Sequence, residues 1–188
     1  FFNDQRKFGW MKLLATPLVE DLPFFQTVGP EPLTKQFTAE VLAKRLQRRA
    51  KSCIKAVLLD QTTVAGLGNI YVDESLFLSR IHPETLTAEL TSEQIERLTD
   101  NIKQVLQQSI DAGGSNSRNY VDADGKRGNY LDGAYVYGRA GLPCRLCGTP
   151  ITKLKVAGRG THICPVCQPA PLSNRPKVKS TSAQSKRG

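Results

Sequence analysis

Residues 61–77 read Gln-Thr-Thr-Val-Ala-Gly-Leu-Gly-Asn-Ile-Tyr-Val-Asp-Glu-Ser-Leu-Phe, and this stretch decides the fold. Gly66 and Gly68 interrupt two segments with helical character, and we expect Asn69 to cap a helix over residues 70–79. A helix N-terminus beside glycines also offers unpaired N–H groups to an anion. The pattern therefore fits either simple capping or a phosphate site.

The segments around this stretch are also predicted to be helical. Thr38 precedes one helix, and a second is expected over residues 54–60. Thr91 and Gln94 form a capping-box pattern that opens the clearest helix, which Gly113-Gly114 ends. Its apolar positions recur at a helical period: Ile95, Leu98, Ile102, Val105 and Leu106.

Four of the five cysteines form two pairs, Cys144-x2-Cys147 and Cys164-x2-Cys167. This spacing is typical of a four-cysteine zinc site, and four protein ligands leave no open position, so one structural Zn²⁺ is predicted. Two disulfides or free thiols are the alternative. The fifth cysteine, Cys53, is interpreted as a small buried apolar residue.

The segment between the cysteine pairs is basic. It contains Lys153, Lys155 and the sequence Gly158-Arg159-Gly160, which predicts a β-hairpin with Arg159 at its tip. A guanidinium there can contact a phosphate, although a solvated turn arginine is the alternative.

Charge is segregated along the chain. The 26 Lys and Arg and 17 Asp and Glu give a net charge of +9, but every acidic residue lies between Asp4 and Asp132. Residues 133–188 carry ten basic residues and no acidic one. Such segregation favours a protein with a surface that binds a polyanion over a soluble protein that is basic without such a surface. No apolar run approaches the roughly 18 residues of a membrane span, so we expect no membrane partner.

The remaining segments are predicted to be short strands, a linker, a loop and a tail. Residues 1–15 predict two short strands, and the prolines of residues 16–37 predict a linker. We expect a loop over residues 115–133, a strand over residues 134–138 and a disordered basic tail over residues 169–188.

Several of these motifs occur in one order that resembles a known family. Residues 61–77 look like the helix–two-turns–helix signature of the formamidopyrimidine-DNA glycosylase/endonuclease VIII family. Residues 4–9 resemble that family's void-filling loop, and residues 29–33 resemble its interdomain linker. Residues 135–139 precede the cysteine pairs as they do in the glycosylase branch. The resemblance covers about residues 1–168.

The resemblance implies a mainly α fold with a small β zinc ribbon. The implied domains are the end of a truncated N-terminal β-sandwich with a residual strand pair (1–15), an interdomain linker (16–37), a helix–two-turns–helix DNA-binding domain (38–133), a zinc-ribbon finger (134–168) and the basic tail (169–188).

The implied activity is removal of oxidised purines, 8-oxoguanine and formamidopyrimidine, from duplex DNA, followed by β,δ-elimination at the abasic site. In that family the nucleophile is an N-terminal proline with a glutamate beside it. This chain begins at Phe1 and its first proline is Pro17, so no catalytic residue is assigned in it. We expect an intracellular, monomeric DNA-binding and lesion-recognition part that is inactive alone and whose partner is damaged double-stranded DNA.

The resemblance also implies which residues contact DNA: Arg6, Lys7, Phe8, Lys55, Asn69, Arg118, Asn119, Tyr120, Tyr137 and Arg159. Arg6 and Phe8 would fill the space left by the extruded base, and residues 117–120 would close over that base. Ordinary core packing for Phe8 and a plain mobile loop are the alternatives. Glu74 matches the signature but is expected to support its neighbours rather than act as an acid.

Two other functions fit the sequence. One is a non-catalytic zinc-ribbon DNA-binding module. The other is a zinc-ribbon protein that binds RNA, which would need exposed aromatic side chains for base stacking. Aromatic residues make up only 7% of the chain, which favours duplex DNA.

Overall fold

The computed structural model describes residue 9 and residues 11–115 and 128–171. Its elements in chain order are α1 (Pro23–Thr27), α2 (Ala39–Gln47), α3 (Ile54–Leu59), α4 (Asn69–Leu78), α5 (Ser92–Asp111), α6 (Tyr130–Gly133), β1 (Thr152–Val156) and β2 (Arg159–Ile163), with 3-10 turns at Thr16–Leu18 and Thr87–Glu89. The predicted fold class, mainly helical with a small two-stranded zinc ribbon, is confirmed.

The longest helix, α5, begins as predicted. The Thr91 side chain accepts a hydrogen bond from the Gln94 amide, and the Gln94 side chain accepts one from the Thr91 amide, which completes the capping box. Leu98, Ile102 and Val105 are buried along one face, which packs against α4 and α2. The helix ends before Gly113-Gly114.

Helix α4 runs through the middle of the molecule. Every residue from Val72 to Phe77 is buried, including Asp73, Glu74 and Ser75. Two of its residues, Val72 and Leu76, belong to the larger hydrophobic core. The buried members of this core are Phe37, Leu42, Leu46, Ile54, Val57, Leu58, Val64, Leu67, Val72, Leu76, Ile81, Leu98 and Ile102. The polar side chains of Asp73, Glu74 and Ser75 are therefore enclosed by other parts of the protein.

Two tight turns join α3 to α4. Gly66 adopts a φ of 73°, and its amide donates to Gln61 Oε1 at 2.8 Å. The linker is fastened to the same turns, because the Gly29 amide donates to the Gln61 carbonyl at 2.7 Å. A Cβ at Gly29 would lie 2.7 Å from the Thr63 backbone, so only glycine fits this approach.

The capping prediction for Asn69 is wrong. Gly68 is the N-cap of α4, and Asn69 is the first helical residue. The Asn69 side chain instead donates to the Gly160 carbonyl at 2.9 Å. A contact that joins residues 91 positions apart leaves no local signal in the sequence.

The zinc ribbon contains an antiparallel hairpin, in which Thr152 pairs with Ile163 and Val156 with Arg159. The turn is formed by residues 157 and 158, so Arg159 opens β2 rather than forming the tip. A second, smaller core joins the ribbon to α4: Phe77, Val136, Cys144, Ile151 and Cys164.

Several local predictions differ from the structure. Residues 11–15 form no strand, and the linker contains α1 and a 3-10 turn. Residues 134–138 form no strand, because three of their amides bond to a side chain instead of a neighbouring strand. The predicted loop ends in the short helix α6, and Cys53 is only half-buried. Within the described ranges, no helix has the length and apolar character to cross a membrane.

Candidate metal centre and nucleic-acid interface

The four paired cysteines converge on one point. The Sγ atoms of Cys147 and Cys164 lie 3.4 Å apart, those of Cys144 and Cys167 lie 3.9 Å apart, and all four lie within 4.8 Å of one another. A zinc ion bonded to four sulfurs at about 2.3 Å would space them by about 3.8 Å. None of the five cysteines is bridged, so the arrangement suits a tetrahedral metal rather than disulfides.

Each cysteine pair forms a knuckle with amides directed at sulfur. The Leu146 amide donates to Cys144 Sγ, and the Cys167 amide donates to Cys164 Sγ, each at 3.4 Å. Hydrogen bonds from Thr149 lower the pKa of Cys147 to about 6, whereas burial raises the pKa of Cys167. Because a metal ligand must be a thiolate, zinc binding releases protons at this site.

Lys55 is completely buried where the ribbon meets α4. Its Nζ donates to Asp73 Oδ1 at 2.5 Å, Thr161 Oγ1 at 2.8 Å and the Gly160 carbonyl at 3.3 Å. Burial lowers the pKa of Lys55, while the Asp73 carboxylate opposes that shift. All three donors of this ammonium thus have acceptors inside the protein.

Asp73 completes this cluster from α4. Its Oδ2 accepts the His162 amide at 3.0 Å and lies 3.6 Å from His162 Nδ1. The His162 ring packs edge-to-face on Tyr137, with 5.0 Å between the ring centroids. Asp73 is not among the site residues predicted from the sequence, although an acidic residue between the apolar Val72 and Leu76 was a signal for it.

Glu74 binds the segment that leads into the ribbon. Its carboxylate accepts the amides of Tyr135, Val136 and Tyr137 at 2.7, 2.9 and 2.8 Å. Burial raises the pKa of Glu74, and the three amide donors oppose that shift. Glu74 therefore holds the backbone of residues 135–137, in agreement with the supporting role expected for it. Its carboxylate has no exposed side for acid catalysis.

The structure brings four of the residues predicted to contact DNA into one region, but it buries Lys55, whose ammonium donates only to protein acceptors and does not lie on the surface. Asn69 and Lys55 both reach the Gly160 carbonyl, Arg159 is the preceding residue with an exposed side chain, and Tyr137 lies on His162. The other six predicted contacts lie outside the described residues: Arg6, Lys7, Phe8, Arg118, Asn119 and Tyr120.

Removal of zinc should unfold the ribbon and leave the helices folded. The ribbon's own core is small, so the metal bonds supply much of its stability. Amide NMR spectra after chelation should lose the native resonances of residues 141–168 and retain those of α5, and added zinc should restore them. Native ribbon resonances in protein verified to be free of zinc would contradict this.

Family models match both the helical region and the zinc ribbon. The family model described as the formamidopyrimidine-DNA glycosylase H2TH domain matches residues 28–121. The model described as a zinc finger found in FPG and IleRS matches residues 141–170. With the sulfur geometry, the second match establishes the four-cysteine centre as a site for one structural zinc ion.

Curated relatives agree over most of the chain. The formamidopyrimidine-DNA glycosylase of Trichodesmium erythraeum is 48% identical over 169 residues, which are 89% of this chain and 56% of the relative. That of Symbiobacterium thermophilum is 49% identical over 170 residues, 90% of this chain and 55% of the relative. The chain thus spans little more than half the length of these relatives.

Solved structures of related proteins have a similar fold over most of this chain. The MutM (FPG) protein of Thermus thermophilus matches with a TM-score of 0.74 and 42% identity, over 79% of this chain and 56% of that one. The Lactococcus lactis Fpg in complex with DNA containing an abasic site matches with a TM-score of 0.77 and 45% identity, over 84% and 57%. The chain belongs to the formamidopyrimidine-DNA glycosylase family.

Proposed function

We propose that this chain is the DNA-binding and lesion-recognition part of a glycosylase that removes oxidised purines from duplex DNA and cleaves the abasic strand. The observation that carries the proposal is one contact between α4 and the hairpin. Asn69, at the N-terminus of α4, donates to the carbonyl of Gly160, the residue that follows the exposed Arg159. The Lactococcus lactis relative was solved with DNA containing an abasic site, and another similar solved structure is of a MutM in complex with DNA containing carbocyclic 8-oxo-G. These relatives support damaged DNA as the partner.

The charge of the ribbon suits a phosphate backbone. Lys153, Lys155 and Arg159 are exposed on the hairpin, and the sequence has no acidic residue after Asp132 to oppose them. Sequence-independent binding to DNA depends mainly on such cations. The hairpin therefore supplies affinity, and lesion selectivity requires other parts of the protein.

The α4 N-terminus adds directed donors to this charge. Its first-turn amides have no partner within the helix, and the helix dipole favours an anion in front of them. Asn69 lies at this terminus and Arg159 beside it, so two neighbouring phosphates of a bent duplex can be held together. The family resemblance adds the hydroxyl of Tyr137, whose ring packs on His162, to these phosphate contacts. Lys55 supports the interface from inside, because its ammonium lies under the Gly160 carbonyl.

The remaining roles rest on the family resemblance. We assign Arg6 and Phe8 to the space left by the extruded base, and Lys7 to a further DNA contact. We assign the segment around Arg118, Asn119 and Tyr120 to contacts with that base. We also propose that residues 38–133 and 134–168 act as a helix–two-turns–helix domain and a finger within an intracellular monomer.

Replacement of Arg159 by alanine should weaken duplex binding whatever the DNA sequence. Loss of one phosphate contact should raise Kd by about tenfold and lower the slope of log K against log salt by about one unit. Lys44→Ala is the matched control, because Lys44 is an exposed cation on α2, which packs against α5 rather than the ribbon. An unchanged salt slope for Arg159→Ala would remove Arg159 from the interface.

Borohydride trapping tests the catalytic half of the proposal. The family's chemistry requires an N-terminal secondary amine, and we expect the 188-residue chain to bind abasic DNA without forming a covalent adduct. A fusion that places the N-terminal part of the Lactococcus lactis relative before this chain should be trapped and should cleave the strand.

Two results would contradict that expectation. An adduct with the 188-residue chain alone would show a nucleophile within it, and single-lysine variants would then locate that nucleophile. A folded, DNA-binding fusion without an adduct would favour the non-catalytic DNA-binding module.

A further inference from the structure

Asp73 has two carboxylate oxygens, and each holds a different element. Oδ1 accepts from Lys55 of α3 at 2.5 Å, and Oδ2 accepts from the His162 amide of β2 at 3.0 Å. The side chains of Lys55 and Asp73 are both 0% exposed. No DNA group can reach this carboxylate, so its contribution to binding must pass through the residues that it holds.

The residues that it holds are the ones next to Arg159. Lys55, neutralised by Asp73, donates to the Gly160 carbonyl and to Thr161 Oγ1, while Asp73 itself takes the His162 amide. Three consecutive residues of β2 are thus fastened to α3 and α4. Asn69 at the start of α4 reaches the same Gly160 carbonyl at 2.9 Å.

The hairpin does not depend on these contacts for its own folding. β1 and β2 pair with each other, and Cys164 anchors the end of β2 in the zinc site. Loss of the Asp73 contacts would therefore leave a folded hairpin whose first residues are held less firmly against α4, with the Asn69 contact to Gly160 remaining. The consequence expected is misplacement of Arg159 rather than unfolding of the ribbon.

We propose that Asp73 is a positioning residue for DNA binding. It fixes the distance between Arg159 and the N-terminus of α4, so that both can contact the same stretch of the DNA phosphate backbone. This proposal rests on the phosphate contact of Arg159 proposed above. An asparagine cannot replace Asp73, because its single carbonyl oxygen can accept only one of the two opposed donors and its NH₂ group faces the other.

A double-mutant cycle between Asp73→Asn and Arg159→Ala tests this role. Binding of the zinc-loaded 188-residue chain to a labelled duplex with a tetrahydrofuran abasic analogue is measured by fluorescence anisotropy, from about 50 to about 200 mM salt. We expect Arg159→Ala to raise Kd about tenfold in the wild-type background and less than about twofold in the Asp73→Asn background, where the salt slope has already fallen by about one unit.

The cycle distinguishes the two proposals. If Arg159→Ala costs about tenfold in both backgrounds, the effects are additive and Asp73 is not a positioning residue. If Arg159→Ala has no effect in the wild-type background, the phosphate contact itself is rejected, and the positioning role with it. Glu96→Gln is the matched control, since Glu96 is an exposed carboxylate on α5, and the tenfold effect of Arg159→Ala should persist there.

A second variant separates positioning from stability. Asp73→Asn leaves a buried ammonium without its counterion, whereas Lys55→Met/Asp73→Leu replaces the whole ion pair by apolar side chains, which is often neutral for folding. Circular dichroism and zinc content verify that each variant is folded. We expect Arg159→Ala to cost less than about twofold in this background also, because the contacts to residues 160–162 are absent. Recovery of the tenfold effect would overturn the proposal.

Discussion

Two neighbouring buried carboxylates on α4 attach the zinc ribbon to the helical body. Glu74 accepts three amides from the segment that leads into the ribbon, and Asp73 accepts the His162 amide from its hairpin. Adjacent residues of a helix point in different directions, so one turn of α4 reaches two separate parts of the ribbon. Because a buried carboxylate without donors is strongly unfavourable, these contacts define one position for the ribbon.

This attachment links the core to the proposed DNA surface. α4 packs in the main core through Val72 and Leu76, and it packs on the ribbon through Phe77. Its first residue, Asn69, contacts Gly160 beside Arg159. Zinc closes the ribbon at the opposite end from Arg159, so metal, carboxylates and helix together hold a short hairpin that has little core of its own. A rigid support of this kind lowers the entropy lost when a phosphate is bound.

Features set by local chemistry could be predicted from the sequence. The capping box of α5, the helix at residues 54–59 and the convergence of four cysteines each follow from residues close together in the chain. The placement of Asn69 could not be predicted, because Gly68 is the N-cap of α4 and the Asn69 side-chain amide donates to the distant Gly160 carbonyl. Residues 134–138 were predicted to form a strand, yet three of their amides bond to Glu74, which is about 60 residues away in the chain. Lys55 was predicted to contact DNA, whereas its ammonium is buried and donates to Asp73, a residue 18 positions away in the chain.

The buried amide–carboxylate contacts join the ribbon to α4. Native-state hydrogen exchange on the zinc-loaded chain can test this attachment by comparing the amides of Tyr135, Val136, Tyr137 and His162 with those of the α4 interior. We expect these four amides to exchange with opening free energies close to those of α4, since they exchange only when the attachment and the core open together. Rapid exchange of the four amides while α4 stays protected would contradict it.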